Sequence, residues 1–197
     1  MTAAHADAAA PGAWELPDRG RVGILGLVVA ESAVFAIFVA AYVYYLGKSL
    51  TGPTPAEVLE LPVVASILLW SSSVTIHRAV GALRASRVRP FTWWWLVTVV
   101  LGTLFLTSTA AEWHRLIVED GLTIRTNLFG TTFYSLVGLH ASHVIVGLVL
   151  LGTVSALALR GHVNASHAAR VEVLSLYWHF VDAVWVVLFV VVYVVGR

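Results

Sequence analysis

Five runs of this sequence, 22–46, 61–80, 91–111, 128–159 and 173–195, are each apolar over about 18 residues or more. A run of that length can lie in hydrocarbon, where no water is present to pair with backbone N–H and C=O groups. Only a structure that satisfies those groups internally survives there, and for separate segments joined by short links that structure is the α-helix. The sequence therefore predicts an all-α membrane protein, a five-transmembrane-helix bundle. The links are punctuated by turn formers or charge: "GKSLTGPTPAEVLE", "RASRVRP", "VEDGLTIRTN" and "RGHVNASHAAR". With 59% hydrophobic and only 12% charged residues, against about a quarter charged in soluble domains, no room is left for a separate soluble domain. Residues 21–197 are thus expected to form a single five-helix domain. Residues 1–20 are Ala-rich and lack the basic and apolar regions of a cleaved signal, so they are expected to be a mobile N-terminal tail.

Charge sets the expected orientation. Arg19, Arg21, Arg78, Arg84, Arg87, Arg89, Arg160 and Arg170 fall on one side of the five spans, whereas Lys48, Arg115, Arg125 and Arg197 fall on the other. Basic residues favour the cytoplasmic face, which predicts the N-terminus inside and, after five crossings, the C-terminus outside. The cluster Trp93–Trp95 suits the inner interfacial belt. A net charge of +1 without a basic run gives no footprint for nucleic acid, and zero cysteines exclude disulfides, thiolate metal sites and iron–sulfur ligation.

Polar residues within the spans recur at three- and four-residue intervals and so fall on one helix face. Most are Ser, Thr and Gly, residues that pack membrane helices together. The ionisable ones ask for more, because each costs roughly 2.5–3.5 kcal/mol at the centre of a membrane helix. At 1.5 Å rise per residue, Glu31, His140, His143, His179 and Asp182 all come out roughly 8–15 Å from the inner face, in one layer, with His77 nearer the inner surface and Glu112 at the outer one. Such a layer can satisfy itself by hydrogen bonds, neutral His beside Asp being a complete donor–acceptor pair. The same residue types could ligate a metal. A pair of haems needs histidine pairs at two depths, and no Ser or Cys sits in the context of an activated nucleophile. Glu31 has no opposite charge within its own helix and reads either as a proton-carrying carboxylate or as a snorkelling, lipid-facing one that binds a headgroup or a neighbour.

Three segments carry a resemblance. "FYSLVGLHASHVIVGLVLL" (133–151), "YWHFVDAVWVVLFVVVY" (177–193) and "AESAVFAIF" (30–38) are similar to segments of subunit III of the haem-copper terminal oxidases, in its short five-helix bacterial form. "ELPVVASILLWSSSVTIHRAV" and "AAEWHRLIVEDGLTIRTNLFG" fit the second and third helices more loosely. The sequence departs from the family pattern at Ala30, Ala141, Arg78 and Ser108 or Thr109.

The resemblance implies an accessory subunit of a proton-pumping cytochrome c oxidase that reduces oxygen to water, a non-catalytic part of that enzyme. It implies support for proton uptake and for the stability of the catalytic subunit. Haem and copper would lie in partner subunits, with no metal and no cofactor on this chain, and phospholipid would be bound. Partners would be subunit I, other oxidase subunits and membrane lipids, and indirectly cytochrome c or quinol, in the bacterial plasma membrane. Glu31 would be the buried reactive carboxylate; His140, His143, His179 and Asp182 the intramembrane polar core; and His77, Glu112, Trp178 and Trp185 contacts to lipid or to other subunits. "GPTPAEVLELP" and "LSLYWHF" look like quinol-oxidising members, and an accessory subunit of nitric oxide reductase would share most motifs. A membrane metal-binding protein using the His/Asp layer is a reading of a different class.

Overall fold

A computed structural model describes residues 19–197, so the expected tail lies almost wholly outside the described residues. The chain forms α1 (Arg19–Tyr45), α2 (Pro55–Val58), α3 (Val63–Arg84), α4 (Val88–Val118), α5 (Leu128–Leu159) and α6 (Ala168–Leu188). A 3₁₀ turn at Ala165–His167 leads into α6, and a π-helical segment, Phe189–Val195, continues it. Five of these segments are long and apolar enough to cross a membrane: Arg19–Tyr45, Val63–Arg84, Val88–Val118, Leu128–Leu159 and Ala165–Val195.

Four helices overrun the apolar runs. α1 starts at Arg19 and not at residue 22, α3 continues to Arg84, α4 covers Val88–Val118 and α6 starts at Ala168. Apolar length reports the thickness of hydrocarbon, whereas a helix continues into the headgroup zone wherever its next residues allow it. The link between α3 and α4 is only three residues long and turns through Ser86 at a φ of 59°.

α5 and α6 lie at the centre. α3 and α4 pack on them as an antiparallel hairpin from one side, and α1 packs on both from the other. Val22, Leu25, Val29 and Ile37 leave α1 with an exposed apolar face, suited to lipid or to a protein partner. At the opposite end of the bundle from the α3–α4 link, α2 is tied down by Asn127, whose Nδ2 donates to the carbonyls of Thr51 and Pro53, and by Arg115, which donates to Val58 O. At its start the Thr54 N–H donates to Glu57 at 2.8 Å, and that bond holds the Glu57 carboxyl below its usual range.

Small residues make room for large ones. Added to Gly102 on α4 or Gly147 on α5, a Cβ would stand 2.7 or 2.8 Å from the Trp178 ring, so both glycines are needed to admit the indole between the helices. Indole N–H groups within the bundle require acceptors. Trp178 Nε1 donates to Ser72 Oγ at 2.8 Å, Trp185 Nε1 to Ser66 Oγ at 3.0 Å and Trp95 Nε1 to the Leu151 carbonyl at 2.9 Å. Trp178 and Trp185, expected at lipid or subunit contacts, are instead fully buried within this chain, because their acceptors are serines on α3.

Candidate functional site

Glu31, His140, His143, His179 and Asp182 do not meet as a single cluster. They divide into two hydrogen-bonded groups and one lone imidazole.

The first group joins α1 to α5. His143 Nε2 lies 3.3 Å from Glu31 Oε2, and His143 Nδ1 lies 2.8 Å from the carbonyl of Leu139, one turn earlier on its own helix. A carbonyl only accepts, so Nδ1 carries a hydrogen. Nε2 then either accepts a proton from the Glu31 carboxyl or, as imidazolium, donates one to the carboxylate. The Tyr177 hydroxyl donates to the His143 carbonyl at 3.2 Å, and the Phe35 ring lies 5.1 Å from the imidazole. Glu31 borders a cavity of about 250 Å³ together with Leu27, Ser142, His143, Val146 and Tyr177, and its side chain keeps 28% of its exposure.

The second group joins α3 to α6. Ser73 Oγ is 3.0 Å from His179 Nδ1 and donates to Asp182 Oδ2. Asp182 is only 5% exposed, and its Oδ1 has no hydrogen-bond partner among the described residues. Ser73 had the spacing of an ordinary packing serine, and only the rotation of α3 against α6 gives it this role.

His140 stands apart. It is buried among Phe35, Phe105 and Trp185, stacked on the last at 5.2 Å, and neither ring nitrogen has a partner among the described residues. No group of three or more His, Asp or Glu side chains among the described residues is placed to hold a metal ion.

Two further expected residues lie nearer the ends. His77 is exposed on α3 and borders a cavity of about 190 Å³ with His179, Arg84 and Glu172. Glu112 accepts from the Tyr193 hydroxyl, 3.3 Å from each of its oxygens, and lines a cavity of about 420 Å³ with Arg115 and Glu60. Tyr193 is a partner that sequence spacing had not singled out. The link of Glu172 to Arg21 at 2.8 Å and to Arg84 at 2.5 Å, which clamps α1, α3 and α6 at one end, was equally hidden.

The family model described as "Cytochrome c oxidase subunit III" matches residues 18–197. The chain is 34% identical to the cytochrome c oxidase subunit 3 of Thermostichus vulcanus, over 94% of this chain and 92% of that protein. To the subunit of the same name from Synechocystis sp. it is 40% identical, over 90% of this chain and 76% of the relative. To that of Corynebacterium diphtheriae it is 32% identical, over 98% of each.

Proposed function

This chain belongs to the cytochrome c oxidase subunit III family, and from that premise we propose that it is the accessory subunit III of a proton-pumping haem-copper oxidase that reduces oxygen to water. The observation that carries the reading is the match along the whole of 18–197, which takes in all five long helices. In this reading residues 21–197 act as one unit in the bacterial plasma membrane, with the N-terminus inside and the C-terminus outside. The unit docks on subunit I, takes up phospholipid and carries no redox centre of its own.

Its contribution is to proton uptake and to the stability of the catalytic subunit. Glu31 is the residue of first interest. A carboxyl within hydrogen-bond distance of His143, beside a cavity at the bundle surface, has the chemistry of a proton-holding group and of a carbodiimide target. His143 meets it directly, and His140, His179 and Asp182 supply polar groups elsewhere in the bundle interior.

The test is removal of the chain from the assembled complex. Oxygen reduction should persist without it, since the reacting centres lie elsewhere, while proton uptake in steady turnover slows and the remaining complex melts at a lower temperature. Loss of all oxygen reduction in a complex that keeps its haem and copper would contradict a non-catalytic role, and unchanged proton uptake and melting would contradict the supporting one.

A further inference from the structure

The His179–Ser73–Asp182 group leads from a cavity between α3 and α6 to a buried carboxyl. At the end where Glu172 binds both Arg21 and Arg84, a cavity of about 190 Å³ opens between α3 and α6, bordered by His77, Arg84, Glu172, Ser175 and His179. At about 30 Å³ per molecule that volume has room for several waters. From the level of Glu172 the axis of α6 runs roughly 15 Å to Asp182, ten residues on. His179 lies between them, half-buried, with one edge on the cavity and its Nδ1 on Ser73.

Each link can run in either sense. In one, Nδ1–H donates to Ser73 Oγ, whose hydroxyl donates to Asp182 Oδ2; in the other, Asp182 Oδ2–H donates to Ser73, whose hydroxyl donates to Nδ1. We propose that His179, Ser73 and Asp182 form a proton relay that connects the α3–α6 cavity to a proton-holding carboxyl in the interior of the bundle. A proton from water in the cavity binds His179 Nε2. The Nδ1–H bond breaks as Ser73 Oγ takes that proton, and the original Ser73 O–H bond breaks as Asp182 Oδ2 takes its proton. One proton has moved inward, the imidazole is neutral again, and the return follows the same atoms. Asp182 ends the chain, since its Oδ1 has no further partner among the described residues.

The charged and titratable groups that face α6 are Arg21 and Glu31 from α1, His77 and Arg84 from α3, and His140 and His143 from α5. Of these, His77 and Arg84 share the cavity with His179, whereas Glu31 and His143 engage each other on the opposite side of α6. The relay requires only that the chain spans a membrane, and it stands whichever complex the chain serves.

The test is time-resolved infrared spectroscopy of the full chain, in the complex with which it is isolated, after a downward pH jump. A protonated-carboxyl C=O band should appear that is missing in Asp182→Asn. With Asp182 intact, Ser73→Ala should slow its appearance by about a hundredfold, the lower end of what a positioned proton carrier contributes, and Ser73→Thr should restore the rate. His179→Gln, which leaves Ser73 and Asp182 in place, should slow it likewise. Absence of any band lost in Asp182→Asn would overturn the proposal, as would wild-type rates in both Ser73→Ala and His179→Gln.

Discussion

Glu31 on α1 and His143 on α5, 112 positions apart in sequence, meet at 3.3 Å, with the imidazole fixed from behind by the Leu139 carbonyl. The Glu31 carboxyl keeps 28% of its side-chain exposure and borders a cavity of about 250 Å³. A carboxyl within a membrane span beside an accessible cavity should react with a hydrophobic carbodiimide. Labelling is expected at Glu31, and Glu31→Gln should abolish it; mass spectrometry of the labelled peptide decides, and persistence of the label in the variant would remove the reactive role from this residue.

The Trp178 slot should be intolerant of a single methyl group. Gly147→Ala places a Cβ 2.8 Å from the Trp178 ring, and overpacking of this kind costs roughly 1–3 kcal/mol. At about 2–4 °C per kcal/mol for a chain of this size, thermal unfolding should begin several degrees earlier. Trp178→Phe in the same background should recover part of the loss, since the smaller ring vacates the contact; an unchanged midpoint in Gly147→Ala would show that the helices can move apart.

Glu172 joins three helices through Arg21 and Arg84, yet both arginines are about half exposed, at 53% and 54%. Exposed ion pairs contribute about 0–1 kcal/mol and are screened by salt. Glu172→Gln is therefore expected to lower stability by about 1 kcal/mol at low ionic strength and by less at high, as read by denaturation at two salt concentrations. A large loss that salt leaves untouched would mean that the clamp is effectively buried.

Tyr193 gives Glu112 a hydroxyl donor at the other end of the bundle. Tyr193→Phe removes the hydroxyl and keeps the ring, and the loss of one hydrogen bond to a carboxyl group should cost about 1–3 kcal/mol. Thermal unfolding of the variant measures it, and a wild-type midpoint would show that Glu112 finds another donor at no cost.

The number and type of the long helices were legible because hydrocarbon permits so few solutions: five apolar runs and five membrane-length helices correspond. Rise per residue is fixed, so the position of each residue along its helix was legible too. Rotation was not. His140 and His143 are three residues apart, yet one faces Phe105 and Trp185 while the other faces Glu31, because the angle between them is enough to send them to different neighbours. Which face of α5 meets α1 is decided by slots such as the one Gly102 and Gly147 make for Trp178, a fit between residues more than 30 positions apart. For the same reason Ser73 looked like packing, Tyr193 went unnoticed, and two tryptophans expected at the surface proved to be buried donors to Ser66 and Ser72.

Purification of the chain in mild detergent, followed by a reduced-minus-oxidised spectrum of the fraction that contains it, tests the oxidase reading most directly. The account predicts haem bands in fixed proportion to the chain through successive columns, together with partner subunits that bear the haem. A chain that stays stable and monodisperse through the same steps with no haem at any stage would contradict its place in an oxidase.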